Sequence, residues 1–180
     1  ENDKRTLAKI NSFAENQLPD GGFLCLHRLE KMKYIPKSCI KDNMHVLLLS
    51  SECRKRGINV PGLDKLIDYF FKRSIFYRSD NHELLVLNCK HGWRTIDAFF
   101  PIEVMRVGLP HLVEAFCSLG FGNRKELNEA WGLLESKKDN NGRYKLEGTL
   151  AKSYLPKERI GKPSKWVTFY SLLAQKYSSM

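Results

Sequence analysis

The chain has 180 residues, 42% of them hydrophobic, and a formal net charge of +10. This length and composition are typical of one globular domain, here residues 1–180, that buries about 70% of its unfolded surface. No apolar run approaches the roughly 20 residues that cross a membrane, so the sequence predicts no membrane span. The positive charge favours phosphate-bearing or otherwise acidic partners.

Apolar residues recur at helical spacing along most of the chain, and this pattern predicts an all-α fold of six main helices. In chain order, the predicted helices lie around Leu7–Ala14, over Pro36–Arg56, around Leu63–Phe70, over Ile102–Leu119, around Leu127–Leu134 and over Ser164–Tyr177. Pro110 is expected to kink or break the fourth helix, because proline lacks the N–H that a helix interior needs. Only the brief segment His82–Asn88 is strand-like.

Two internal alignments indicate a repeated unit. Leu7–Leu26 aligns without gaps to Leu127–Leu146, and Leu48–Phe70 aligns to Leu112–Leu134. These alignments pair, among others, Glu15 with Glu135, Gly22 with Gly142, and Cys53 with Cys117. The predicted unit is a helix, a short Gly/Asn turn, a second helix and a Gly-containing loop, repeated about every 60 residues.

The turn sequences PDGGF (Pro19–Phe23) and NNGRY (Asn140–Tyr144) each follow one helix and lead through a loop into another. This arrangement resembles the α/α toroid of terpenoid cyclases and protein prenyltransferases. Longer segments resemble uncharacterised squalene-cyclase-like bacterial proteins, namely Asp20–Arg28, Ile35–Glu52, Lys125–Gly148 and Gly161–Tyr177. The resemblance implies alternating inner and outer helices in an arc of about three hairpins, half of a six-pair ring. The missing half would lie upstream of Glu1 in a longer protein.

The acidic motifs of that superfamily are not found in this sequence. Class II terpene cyclases use an Asp-x-Asp-Asp run and class I enzymes an Asp-Asp-x-x-Asp run, and neither occurs here. The Gln-x-x-x-Gly-x-Trp motif of squalene cyclases is degenerate, with Phe23 and Tyr144 near its aromatic position. The sequence therefore assigns no catalytic residue, and whether the protein is an enzyme stays open.

The cysteines suggest both a compartment and a metal site. The chain has five cysteines, an odd number, and they lack the compact spacing of a disulfide scaffold. We therefore expect the protein in the reducing environment of the cytoplasm. Thiolate and imidazole together suit tetrahedral zinc, and the set to test is Cys25, His27, Cys39, Cys89 and His91. Their spacing matches neither prenyltransferases nor lanthionine cyclases, so we expect no cofactor, with zinc as the alternative. Cys53 and Cys117 lie on apolar helix faces and are expected in the core.

The start of the last predicted helix, GKPSKW, suggests an anion site. Pro163 and Ser164 suit a helix start, but Lys162 and Lys165 oppose the positive end of the helix dipole. In a toroid the inner helices are parallel, so their N-termini would meet at one rim and bind an anion. The expected rim residues are Lys37, Ser38, Arg106, Lys162, Ser164 and Lys165. The alternative is that serine caps the helix and the lysines point into water.

Aromatic residues of the predicted inner helices and the preceding segment are candidates for a ligand cavity below that rim. They are Trp93, Phe99, Phe100, Trp166, Phe169 and Tyr170. The alternative for each is an ordinary core position. The leading hypothesis is a toroid-type module that binds an amphipathic or isoprenoid-like small molecule, with the apolar tail inside the arc and the anionic head at the rim.

Two other functions stay open at this point. The basic segments CRKRG, FFKRS and GNRK give an exterior suited to nucleic-acid phosphates, although no known nucleic-acid motif accompanies them. A structural module is the third possibility, in which the N-terminal edge docks the missing half-ring or a partner protein.

Overall fold

A computed structural model describes residues 3–24, 33, 37–77, 107–147 and 158–180. Six α-helices lie in these residues: α1 Lys4–Glu15, α2 Ile40–Arg54, α3 Leu63–Phe71, α4 Leu109–Ser118, α5 Asn128–Glu135 and α6 Lys165–Ser178. A short 3-10 turn, Lys125–Leu127, leads into α5. The described residues form no strand, and the predicted all-α class is confirmed. The strand-like segment His82–Asn88 lies outside them.

Two helices begin later than the sequence indicates. The second helix starts at Ile40, so Lys37 and Ser38 precede it and Cys39 is its N-cap. The fourth starts at Leu109, with Pro110 in its first turn. Proline fits there because the first N–H groups of a helix have no intrahelical partner. The predicted break at Pro110 is therefore the helix start.

The chain divides into two compact units, Glu1–Lys72 and Arg73–Met180. The first unit contains α1, α2 and α3. Its small core cluster joins Ile10 of α1 to Cys53 of α2 and to Val60, with Leu49 and Ile58 packed against it. The third helix is strongly amphipathic, and it buries Leu66, Ile67, Tyr69 and Phe70.

The second unit is built around α4. Every residue from Leu109 to Cys117 is buried, and α4 packs against both α5 and α6. The last helix buries Val167, Ser171 and Ala174. These three residues lie on one face of the helix, and two of them are small, which allows close approach of a neighbouring helix. The opposite face of α6 faces solvent.

The turns after α1 and α5 have the same backbone geometry. Gly21 and Gly142 have positive φ angles, +87° and +73°, which glycine adopts without strain. Each glycine N–H donates to the carbonyl three residues earlier, on Leu18 and Asp139 respectively, at 2.9 Å. The structure therefore pairs Gly21 with Gly142, and the ungapped pairing of Gly22 with Gly142 is wrong. The second repeat has one extra residue between helix and turn.

The ends of α2 and α4 are also alike. Gly57 and Gly120 both have positive φ, +71° and +89°. After each glycine, the next N–H donates to a carbonyl five residues back: Ile58 to Cys53 and Phe121 to Phe116, both at 2.9 Å. This is the Schellman end of a helix. Cys53 thus corresponds to Phe116, and its predicted pairing with Cys117 is wrong by one residue.

Candidate functional site

In the first unit, the backbone of Phe23 is held by the start of α2. Its N–H donates to Oδ1 of the buried Asn43 at 2.6 Å. Its carbonyl accepts from the N–H of Cys39, the N-cap of α2, at 2.8 Å. The buried Phe23 ring meets Phe13 of α1 edge to face, 6.3 Å between centroids. These contacts fix Phe23 and Leu24 between α1 and α2.

The second unit repeats this contact at Tyr144. The Tyr144 N–H donates to Oγ1 of Thr168 at 3.0 Å, and its carbonyl accepts from the N–H of Ser164, the N-cap of α6, at 2.9 Å. Thr168 and Asn43 both lie four residues after their N-caps. Phe23 and Tyr144 are therefore structurally equivalent, whereas the ungapped alignment of the sequence pairs Phe23 with Arg143.

A cavity of about 280 Å³ lies in the first unit beside Phe23. Five apolar or aromatic residues and five polar residues line it. The lining residues are Lys9, Ser12, Phe13 and Asn16 from α1 and its end, Phe23 and Leu24 after the turn, and Asp42, His45, Val46 and Leu49 from α2. A concave apolar wall with a few polar groups is the usual composition of a small-molecule site.

Local hydrogen bonds orient the polar lining residues. His45 Nδ1 lies 2.8 Å from the Lys41 carbonyl oxygen, which can only accept, so Nδ1 carries a hydrogen and donates it. Asn16 Nδ2 donates to the Ser12 carbonyl at 3.0 Å, leaving the amide oxygen as an acceptor. The lining thus offers one ammonium group, Lys9, one imidazole, His45, and one carboxylate, Asp42.

No motif in the sequence marks these polar residues as a site. Asp42 and His45 stand three apart on α2, and Lys9 lies on α1. The three-residue spacing is a signal for a shared helix face, but nothing in the sequence shows that α1 closes over it. The sequence also did not point to His111 and Glu114, which are buried on α4. The His111 ring lies 3.8 Å from the ring of Tyr170 on α6.

At the predicted anion rim, the chain supplies its own carboxylates. Ser38 donates to Asp20 Oδ2 from its hydroxyl at 2.9 Å and from its N–H at 3.2 Å. Ser164 Oγ accepts from the Val167 N–H at 3.1 Å and caps α6.

Glu158 lies at the N-terminus of α6, where the sequence places the lysines of GKPSKW. Its carboxylate accepts from Ser164 Oγ and, at 3.0 Å, from the N–H of Lys165. An internal anion thus already lies at the N-terminus of α6. The side chains of Lys37, Lys162 and Lys165 are exposed, as the capping alternative expects, and Arg106 lies outside the described residues. An external anion at this rim stays a prediction, and it would compete with Glu158.

The aromatic residues that the sequence predicts for the ligand cavity differ in their exposure. Trp166 and Phe169 are 37% and 51% exposed, because they lie opposite the buried face of α6. Tyr170 is half-buried against α4. Trp93, Phe99 and Phe100 lie outside the described residues. The α6 aromatics therefore do not share one enclosed space.

No group of three or more His, Cys, Asp and Glu side chains suited to a metal ion occurs within the described ranges. Of the predicted zinc ligands, only Cys39 is described, as a half-buried free thiol. Cys25, His27, Cys89 and His91 lie outside, so the zinc hypothesis stays a prediction. Cys53 and Cys117 are buried free thiols, as expected for core cysteines.

Basic groups in two of the predicted phosphate-binding clusters form internal ion pairs. Lys55 and Arg56 both contact Glu52, at 2.9 and 2.8 Å. Arg124 contacts Glu126 at 3.2 Å. These carboxylates reduce the local positive charge that nucleic acid would meet.

In the parts of the chain that the structure describes, no helix has the length and apolar character to span a membrane. No protein-family model, no curated protein and no solved structure matches the chain.

Proposed function

We propose that the protein binds a small amphipathic ligand in the cavity beside Phe23. The observation that carries this proposal is the composition of the cavity wall. Phe13 of α1, Phe23 and Leu24 after the turn, and Val46 and Leu49 of α2 supply apolar surface. An apolar chain or ring gains free energy by leaving water for such a wall.

The charges of the lining favour a head group with a single negative charge. Lys9 attracts an anion, whereas Asp42 repels it. The sum of these lining charges suits a carboxylate or a similar monoanion better than a diphosphate. The volume of about 280 Å³ lies just below the usual range for ligand pockets, so the apolar part is short.

A relationship to the α/α toroids is part of the proposal. It is supported by the equivalent contacts of Phe23 and Tyr144 and by the matching glycine ends of α2 and α4. Binding of an isoprenoid-like molecule would agree with that relationship. The proposal assigns no catalytic step.

Calorimetric titration with octanoate tests the proposal, with octanol and octyltrimethylammonium as neutral and cationic probes of the same chain length. We expect octanoate to bind most tightly, with a negative heat-capacity change from apolar burial. Lys9→Gln should weaken octanoate binding about fivefold and leave octanol binding unchanged. Lys4→Gln, a charge change on the same helix outside the cavity, is the matched control.

Val46→Phe fills the cavity and should abolish binding of all three probes. Retained octanoate binding in Val46→Phe would place the ligand elsewhere and reject this site. Failure of all three probes to bind the unmodified protein would reject the proposed function. If the protein instead binds single-stranded RNA, and the affinity falls steeply and log-linearly with salt concentration, nucleic-acid binding replaces the proposed function.

A further inference from the structure

The exposed large hydrophobic side chains of the described residues are concentrated at one end of the chain. They are Ile160, Trp166, Phe169, Leu172 and Met180, with exposed fractions of 56%, 37%, 51%, 48% and 91%. All lie between residues 160 and 180. Scattered exposed apolar residues are ordinary, but a local concentration of them marks an interaction surface.

Three of these side chains form one face of α6. At 100° per residue, Trp166, Phe169 and Leu172 fall within about 120° of the helix circumference. Val167, Ser171 and Ala174 occupy the other side and are buried. One side of α6 therefore belongs to the core of the second unit, and the other presents apolar groups to the outside.

The same segment is basic and contains no acidic residue. From Arg159 to Met180 the sequence has four basic residues and neither aspartate nor glutamate. The four are Arg159, Lys162, Lys165 and Lys176, and all are exposed. The Lys165 ammonium lies 5.5 Å from the centre of the Trp166 ring.

The two carboxylates that hydrogen-bond to residues of α6, Glu158 and Glu135, are engaged with other groups as well. Glu158 binds the capping Ser164 and the N–H of Lys165. Glu135 accepts from Tyr144 and Gln175 and forms an ion pair with Lys138. The exposed face thus combines apolar side chains with positive charge at both ends of the helix.

We propose that this face of α6, Trp166, Phe169 and Leu172 with the flanking lysines, docks on the surface of an anionic lipid bilayer. Aromatic and aliphatic side chains of an interfacial helix enter the boundary between head groups and acyl chains. Lysine stems reach from that depth to the lipid phosphates. Leu172 and the nearby Ile160 have no ring to stack on a base, which favours lipid over nucleic acid.

Sedimentation with vesicles tests the proposal. The protein should partition onto phosphatidylcholine vesicles containing 30% phosphatidylglycerol (about one lipid in three, an anionic surface) and much less onto pure phosphatidylcholine. The double variant Phe169→Ser/Leu172→Ser should lose at least about tenfold in partitioning, because its apolar contribution is removed. Lys165→Gln should lose about fivefold. Lys65→Gln, an exposed lysine on α3, is the matched charge control and should change nothing.

Tryptophan fluorescence adds a readout that does not depend on those variants. Lipids brominated on the acyl chain should quench emission of the bound protein, and Trp166→Phe should remove that quenching while circular dichroism shows the fold intact. Absence of partitioning onto anionic vesicles overturns the proposal. So does equal partitioning of the Phe169→Ser/Leu172→Ser variant, or quenching that persists in Trp166→Phe. Self-association that this double variant abolishes, without vesicle binding, would assign the face to a second copy instead.

Discussion

The Tyr144 hydroxyl donates a 2.9 Å hydrogen bond to Oε1 of Glu135, although the Tyr144 side chain is fully buried. Gln175 of α6 donates to the same carboxylate oxygen at 2.7 Å and to the Tyr144 hydroxyl at 3.1 Å. Burial, and then the bond to Glu135, raise the pKa of Tyr144 far above its ordinary value. This small network joins the end of α5, the following turn and α6.

Removing the charge of Glu135 should destabilise the fold. Burial by itself raises the pKa of Glu135, but the bonds from Tyr144 and Gln175 and the Lys138 ammonium outweigh it, so the pKa is lowered. Glu135→Gln should reduce the free energy of unfolding by about 1 kcal/mol, since the carboxylate is partly solvated. Urea unfolding at pH 7 measures it. The equivalent Glu15→Gln is the control, and an equal loss there would contradict the role of Tyr144.

The side chains that hydrogen-bond to the backbone N–H groups of Phe23 and Tyr144 should contribute strongly to the free energy of unfolding. Asn43→Ala leaves the buried Phe23 N–H without its acceptor and should cost about 2 to 3 kcal/mol of unfolding free energy. Thr168→Val keeps the shape and should cost about 1 to 2 kcal/mol at Tyr144. Asn59→Ala, at an exposed site, should stay within about 0.5 kcal/mol. Thermal or urea unfolding of the three variants checks the order.

Ser164 and Lys165, at the start of α6, should contribute differently to the free energy of unfolding. Ser164→Ala removes the N-cap and should cost about 1 to 2 kcal/mol of unfolding free energy. Lys165→Ala should change it by less than about 0.5 kcal/mol, because the side chain is exposed and opposes the helix dipole. Urea unfolding of both variants is the measurement. A cost for Lys165→Ala equal to that of Ser164→Ala would show that the lysine is structural.

The Cys117 thiol should make stability fall at alkaline pH. Burial, and then the charge of Glu114, raise the pKa of Cys117 from 9.0 to about 12. Between these values the unfolded chain releases the thiol proton and the folded chain keeps it. The unfolding free energy should therefore decline from about pH 9 to about pH 12, by at most about 1.4 kcal/mol per pH unit.

Urea unfolding at pH 8 and pH 10 measures this decline, and Cys117→Ala should make it shallower. Iodoacetamide with peptide mapping gives a second measure, because the folded thiol should resist alkylation at pH 8.5 and react in urea. An unchanged pH dependence in Cys117→Ala, or rapid labelling of folded Cys117, would contradict the buried thiol.

The sequence by itself determined the features that depend on local periodicity and local chemistry. Helical spacing of apolar residues predicted the all-α class and the approximate place of each described helix. The preference of serine for N-caps placed the start of α6 at Ser164. The repeat was visible because helices and glycine turns recur in the same order. The single-residue shift at Gly142 escaped an ungapped alignment, since one added residue in a loop leaves the helix pattern intact.

Only the tertiary structure decided which residues share a site. Lys9 and His45 are far apart in the sequence, and they line one cavity because α1 and α2 pack beside Phe23. Glu158 lies in a loop without a helical pattern, yet its carboxylate occupies the helix N-terminus that the sequence assigned to an external anion. Trp166 and Phe169 are exposed because the small residues of α6 face α4. Helix propensity acts over a few neighbouring residues, whereas these contacts depend on how separate helices pack.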